Sequence, residues 1–305
     1  MNPTLTLVVP TYNERENLIP LVQKITAALE PTPYRAEILI VDDNSPDGTA
    51  QVAESLDPRY GVRVLRRSGK LGLSSAVIAG WKEAKGRLLG VIDADLSHDP
   101  AILPDMIYSL LEGGADIALG SRYAPGGGVA NWPWFRRFTS WVAIMLGRPI
   151  CPARDVTSGY LLMKREVIEG VELNPIGFKI NLEVMIKGRY ATLCEAPFTF
   201  VDRQLGRSKF GSGEILNYLR QLAQLYWYCW RYKPNHRAIP YTPYPRPGQT
   251  PERDGGGETN LAWDCGRGES RSPGRRGWGR RRYPPSPFQN GPPYLQSRPG
   301  PYRDR

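Results

Sequence analysis

Histidine and cysteine are scarce in this chain, two and four among 305 residues. Cys151, Cys194, Cys229 and Cys265 stand far apart and form no CxxC pair, which excludes a zinc ribbon and a disulfide scaffold and fits a reducing compartment. With only His98 and His236 available, chemistry that needs a histidine base has little to draw on. Glycine is missing where two common nucleotide folds require it. The turn after the first apolar run reads Pro10-Thr11-Tyr12-Asn13-Glu14-Arg15, without the GxGxxG that lets a pyrophosphate approach a helix N-terminus. Gly69-Lys70 is followed by Leu71 and lacks the leading glycine of a P-loop. No apolar run approaches the ~18 to 20 residues of a membrane-spanning helix. The chain also passes straight into Leu5-Thr6-Leu7-Val8-Val9 without the basic start and apolar stretch of a signal peptide. Contact with a bilayer is therefore expected to be peripheral, from the cytoplasmic side.

Valine and isoleucine disappear after residue 240, where Leu261 and Leu295 are the only branched aliphatics. Such a segment cannot bury enough apolar surface to offset the entropy of ordering it. Residues 241–305 are predicted to be a disordered, basic, Pro/Gly/Arg-rich tail, and 1–240 a single catalytic domain. The tail holds 12 of the 40 basic residues and 6 of the 30 acidic ones, so more than half of the net charge of +10 belongs to it. Nucleic-acid recognition by the folded part is not expected. Arg275-Arg276 and Arg280-Arg281-Arg282, beside Trp278 and Tyr283, suit RNA or lipid headgroups, or simply a solvated extension. A change of character this abrupt is also what a shifted reading frame produces.

What is present in the first 240 residues is an alternation of periods. Leu5 to Val9 reads as a strand. Arg15 to Leu29 reads as a helix with Leu18, Leu21, Val22, Ile25 and Leu29 on one stripe, and Glu37 to Val41 as a second strand. That spacing predicts a parallel βαβ unit with a right-handed crossover. The pattern repeats through helix Asp47 to Leu56, strand Val62 to Leu65, helix Leu73 to Ala84, strand Leu88 to Ile92, helix Pro100 to Leu111 and strand Asp116 to Leu119. The expected fold is α/β, a mainly parallel sheet with helices on both faces.

Polar loops follow these strands: Pro10 to Glu14, Asp42-Asp43-Asn44-Ser45, Asp93-Ala94-Asp95 and Ser121-Arg122-Tyr123. In a parallel sheet they converge on one edge, where ligands bind. The first loop offers an aromatic, an amide and an acid, suited to stacking on and hydrogen-bonding a base or ribose. In an extended segment Asp93 and Asp95 point to the same side. They present two hard oxygen donors for Mg²⁺ or Mn²⁺, although an isolated Asp-x-Asp is also found as a solvated turn or helix start.

Taken together, Val9 to Glu14, Val41 to Thr49, Asp93 to His98, Gly120 to Tyr123, Asp155 to Tyr160, Gly177-Phe178-Lys179, Pro197 to Arg203 and Gly206 to Lys209 resemble glycosyltransferase family 2. Within it they resemble the branch acting on dolichyl or polyprenyl phosphate, over roughly residues 4 to 232. The resemblance implies a GT-A (Rossmann-like) fold and an inverting transfer of mannose from GDP-mannose to the lipid phosphate. It implies that Pro10, Tyr12 and Glu14 line the nucleoside pocket, with Asp42 and Asp43 near base and ribose. Asp93, Ala94 and Asp95 meet the metal and diphosphate. Arg122 and Arg136 receive the acceptor phosphate, and Lys179, Arg203 and Lys209 attend the donor. Ser97 stands where many relatives carry a glutamine metal ligand, and the resemblance makes it the third metal-site residue, its hydroxyl or a water taking the place of the glutamine. A UDP-glucose donor is the nearest alternative, and an idle scaffold with an RNA- or protein-binding tail is the non-enzymatic one.

The residues suit that chemistry. A departing nucleoside diphosphate needs its charge neutralised by a divalent cation and fixed cations. An acceptor phosphate is already anionic, so no strong base is required, and His98 is read as structural. Arg136 and Arg137 sit among Trp132, Trp134, Phe135, Phe138 and Trp141, a stripe that fits either a core or a headgroup boundary. Glu214 to Tyr232 is read as a C-terminal amphipathic helix, polar at Asn217, Arg220, Gln221, Gln224 and Arg231 and apolar at Ile215, Leu219, Leu222, Leu225, Tyr226 and Trp230. That helix suits docking on the domain, an interface with lipid, or a small membrane subunit.

Overall fold

A computed structural model describes residues 3–130, 132–177, 179–201 and 212–245. The chain begins β1 (Leu5–Thr11), α1 (Arg15–Leu29), β2 (Ala36–Asp42), α2 (Thr49–Glu54), β3 (Val62–Arg66), α3 (Leu73–Glu83) and β4 (Leu88–Val91). It continues with α4 (Leu103–Leu111), β5 (Ile117–Ser121), β6 (Gly128–Val129), α5 (Trp134–Gly147) and β7 (Leu161–Lys164). The last elements are α6 (Ile180–Lys187), β8 (Thr192–Pro197), β9 (Thr199–Phe200), α7 (Ser212–Tyr232) and β10 (Arg237–Ile239).

Eight strands form one sheet in the order β10-β8-β5-β7-β4-β1-β2-β3, and β6 pairs with β9 separately. The sheet is parallel except at β7, which runs antiparallel to both β4 and β5. Two reversals across β7 restore direction, so β5 points the same way as β4. The carboxyl ends of β1, β2, β4 and β5 therefore share one edge, as the alternation of periods predicts.

Apolar runs become strands buried on both faces because helices cover both. On one side Val77 and Trp81 of α3, Ile180 and Val184 of α6, and Leu222 and Leu225 of α7 pack with Val8, Leu39, Leu119 and Leu161. On the other side Leu18, Leu21 and Ile25 of α1 and Met106 and Leu110 of α4 pack with Leu7, Val9, Ile38 and Leu162. Each such side chain contributes about 1.5–3 kcal/mol when fully buried. Gly80 sets the closeness of α3, since a Cβ there would lie 2.6 Å from Val8 Cγ1.

The C-terminal helix differs from its sequence reading. Its inward face is Tyr218, Gln221, Leu222, Leu225 and Cys229, while Ile215, Leu219, Tyr226 and Trp230 from the expected apolar face are exposed. Gln221, read as polar surface, is buried because its Nε2 donates to the Lys179 carbonyl at 3.1 Å. Helix α5 shows a related pattern. Trp132, just before it, is buried, but Trp134, Phe135, Phe138 and Trp141 are each more than half exposed, so these four do not form core. The two helices are joined by Tyr218 Oη donating to Ala143 O at 2.7 Å and Tyr226 Oη to Leu146 O at 2.8 Å.

Beyond β10 the chain crosses α4. Ser109 Oγ and Thr242 exchange hydrogen bonds at 2.9 Å, Tyr244 N donates to Asp105 Oδ1, and the Tyr244 ring packs edge-on against Tyr34 and Tyr108. The compositional break at 240/241 falls inside this packed strap.

Candidate active site at the strand ends

Two of the loops singled out by sequence are knitted to one another. The backbone N–H groups of Asn13, Glu14 and Arg15 donate to Ser45 Oγ, Thr49 Oγ1 and Asp47 Oδ2 at 3.0, 3.1 and 3.2 Å. Asp42 and Thr11 are register partners at the ends of β2 and β1. The buried Asp42 carboxylate accepts from Thr11 Oγ1, Ser45 N and Ser45 Oγ. Asp43 accepts from Arg67 Nη1 at 2.6 Å and from the N–H groups of Leu71 and Gly72 at 2.9 Å, tying the β2 loop to the start of α3. Both carboxylates thus brace their loops. Pro10 is buried in β1 opposite Val41, Glu14 Oε2 accepts from Asn17 Nδ2, and the half-buried Tyr12 ring lies 4.4 Å beneath Lys70 Nζ.

The β4 loop carries the acidic group. Asp93 is partly open while Ala94, Asp95, Ser97 and His98 are buried. Leu96 takes a left-handed φ of 61°, a conformation that costs a non-glycine residue about 1–2 kcal/mol. It folds Ser97 back so that Ser97 N and Oγ donate to Asp95 Oδ1 at 3.1 and 2.5 Å. The Ser97 hydroxyl is therefore engaged in orienting Asp95. One ligand atom each from Asp93, Asp95 and His98 lie within 4.8 Å of one another. Two carboxylates whose ligand atoms stand this close fit a divalent cation of the Mg²⁺ or Mn²⁺ type, with oxygen as the donor.

Arg122, at the end of β5, is clamped. Its backbone N and Nε donate to Asp155 Oδ2 at 3.0 and 2.7 Å, and Nη2 donates to Asp155 Oδ1 and Thr157 Oγ1 at 2.7 Å. Burial opposes ionisation of Asp155, but the charge and hydrogen bonds of Arg122 outweigh it and hold the carboxyl below the usual range. The guanidinium lies 5.4–5.6 Å from the Tyr123, Trp132 and Phe200 ring centres, and Arg136 stacks on the same Trp132 at 4.4 Å. Lys179 Nζ donates to Thr157 O at 3.0 Å. Loss of solvation and then the Arg122 charge push Lys179 down to about 8, against Asp155, Asp93 and Glu214. Phe200 joins the two groups, its ring 5.7 Å from that of His98.

The structure thus gathers Asp93 with Asp95, and Arg122 with Arg136 and Lys179. Arg203 and Lys209 lie outside the described residues. Sequence reasoning missed the clamp of Asp155 and Thr157 on Arg122, although both stand in the Asp155 to Tyr160 segment that it quoted. His98, read as structural, is buried among aromatic rings with its Nδ1 3.7 Å from Asp93 Oδ2.

Fold and site define a GT-A α/β domain with an acidic strand-end loop. A model of the glycosyl transferase family 2 matches residues 6–171, and the chain belongs to that family. It is 48% identical over 225 residues to a dolichol-phosphate mannosyltransferase of Pyrococcus furiosus, covering 72% of this chain and 63% of that protein. It is 38% identical over 237 residues to the dolichol-phosphate mannosyltransferase of Saccharomyces cerevisiae, covering 74% and 88%. Among solved structures, a mannosyltransferase of Pyrobaculum calidifontis in complex with GDP-mannose and Mn²⁺ superposes with a TM-score of 0.51 at 18% identity over 76% of this chain and 65% of that one. Mannosyl-3-phosphoglycerate synthase of Rubrobacter xylanophilus gives 0.53 at 19% identity over 81% and 79%. At such identities these structures establish the fold.

Proposed function

We propose that the protein transfers mannose from GDP-mannose to the phosphate of a dolichol or other polyprenol, with inversion, giving a β-linked lipid phosphosugar. The observation that carries this reading is the identity of 48% and 38% to two dolichol-phosphate mannosyltransferases, together with a strand-end site holding both an acidic pair and a fixed arginine. In the reaction an anionic oxygen of the lipid phosphate attacks the anomeric carbon as the bond from that carbon to the diphosphate oxygen breaks. The electron pair leaves with GDP, and no proton has to be removed from the nucleophile. Arg122, locked in orientation by Asp155 and Thr157, and Arg136 would bind and orient the lipid phosphate. Asp93 and Asp95 would hold a divalent cation, which when bound supplies Lewis-acid neutralisation of the departing diphosphate. Lys179, Arg203 and Lys209 would add fixed positive charge on the donor side, and Tyr12 with Glu14 would face the nucleoside.

Peripheral attachment to the cytoplasmic face of a membrane, alone or through a small membrane subunit, belongs to the same reading. No helix among the described residues is long and apolar enough to cross a membrane, yet α5 and α7 leave Trp134, Trp227 and Trp230 60–79% exposed. The test is incubation of the purified full chain with Mn²⁺, a short polyprenyl phosphate and radiolabelled GDP-mannose or UDP-glucose. Lipid labelled from GDP-mannose is expected; labelling from UDP-glucose alone overturns the mannose assignment.

A further inference from the structure

The Asp93 carboxylate is enclosed on one side by two groups that no step above uses. His98 is 3% exposed, and its ring is wedged between Tyr160, Phe198 and Phe200, with centroids 5.5–5.7 Å away. Its Nδ1 makes no hydrogen bond and lies 3.7 Å from Asp93 Oδ2, slightly beyond hydrogen-bond reach. An unpaired buried polar nitrogen costs about 1–3 kcal/mol, so its retention there asks for a reason. The second group is the backbone of Gly159. A Cβ at this position would sit 2.9 Å from Asp93 Oδ2 and 3.1 Å from His98 Cε1, so any larger residue would be driven between the two. The aromatic cage fixes the imidazole, and the glycine keeps the gap clear.

We propose that His98 and Gly159 are positioning residues for Asp93. His98 offers an Nδ1–H that sets the orientation of the carboxylate, and Gly159 leaves the space for the pair to approach. The inference rests on reading Asp93 as a cation ligand. An imidazole in its neutral form carries a proton on one of its two nitrogens and so has one N–H to donate. Outer groups of this kind hold a metal-binding side chain in its productive rotamer, and their loss typically weakens metal binding about 10–100-fold.

The experiment is Mn²⁺ binding to the full chain without substrates, followed by calorimetry and by the electron spin resonance of free Mn²⁺. His98→Phe fills the aromatic cage but removes the donor. We expect an unchanged melting temperature and about 10–100-fold weaker Mn²⁺ binding. His98→Asn, which places an amide N–H near the Nδ1 position, should recover most of the affinity. Gly159→Ala should weaken binding with His98 intact, and it keeps the test alive if His98→Phe fails to fold. Mn²⁺ affinity unchanged in both His98→Phe and Gly159→Ala would overturn the proposal. So would a ¹⁴N coupling to bound Mn²⁺ in the wild type that vanishes in His98→Phe, because His98 would then be a ligand. Asp93→Ala is the control for the underlying reading. If it leaves Mn²⁺ binding intact, the cation site itself is misplaced; if it abolishes binding while His98→Phe and Gly159→Ala do not, only the positioning role fails.

Discussion

Arg122 and Asp155 are both nearly enclosed, with side-chain exposures of 9% and 0%. A buried pair of this kind adds little net stability while intact, but removing one partner strands the other's charge at a cost of about 3–5 kcal/mol. Asp155→Asn is therefore expected to lower the urea midpoint of unfolding at pH 7 by a corresponding amount. The pH dependence follows the sign of the shift. Asp155 has a folded pKa below its ordinary value of 3.8, so its contribution is complete above that value and is lost as pH falls through the folded pKa. Acid unfolding curves of wild type and Asp155→Asn should converge below pH 3.8; parallel curves would show that the pair is energetically idle. At the same scale, Asp95→Ala should fold normally and lose roughly a hundredfold or more of its transfer rate, the several kcal/mol that charge neutralisation supplies. Mannose transfer within a few-fold of wild type would remove Asp95 from the mechanism.

Helices α5 and α7 show where single-sequence reading stops. Apolar and aromatic residues lie on more than one face of each, so periodicity names a helix but not its inward side. The choice is made by partners distant in sequence: Tyr218 reaches Ala143 and Gln221 reaches Lys179. Strand β7 was illegible for a different reason. Leu161–Lys164 is a four-residue run, too short for a period, and its reversed direction is set by the path of the preceding chain. The Arg122 clamp was hidden because its partner is 33 residues away. By contrast β1 through β5, and the edge they share, were readable because each strand and crossover repeats one pattern. The outward faces supply an element-scale prediction. Replacing Trp227 and Trp230 together by Ala should leave the free energy of unfolding within about 1 kcal/mol of wild type, as expected for exposed sites, while reducing co-sedimentation with anionic phospholipid vesicles. Undiminished vesicle binding would point to another surface.

For the whole molecule, the sheet ends just before the compositional break at 240/241, and packed chain runs past it. β10 pairs with β8, and the strap to residue 245 packs on α4 through Thr242 and Tyr244. We propose that the catalytic unit ends at this strap. A chain ending at residue 245 should keep its fold and its transfer activity, whereas one ending at residue 233 should melt lower and aggregate, having bared an edge of the sheet. Equal loss in both truncations would make residues 246–305 part of the working unit. One local feature also shapes how the enzyme can change. Asn13, Asn44 and Leu96, three of the four non-glycine residues with positive φ among the described residues, stand in the loops after β1, β2 and β4. A glycine at Leu96 would ease that backbone and still make the turn that brings Ser97 to Asp95, but it would give up the contact of Leu96 with the core, so heat selection meets a compromise at this loop and no free gain.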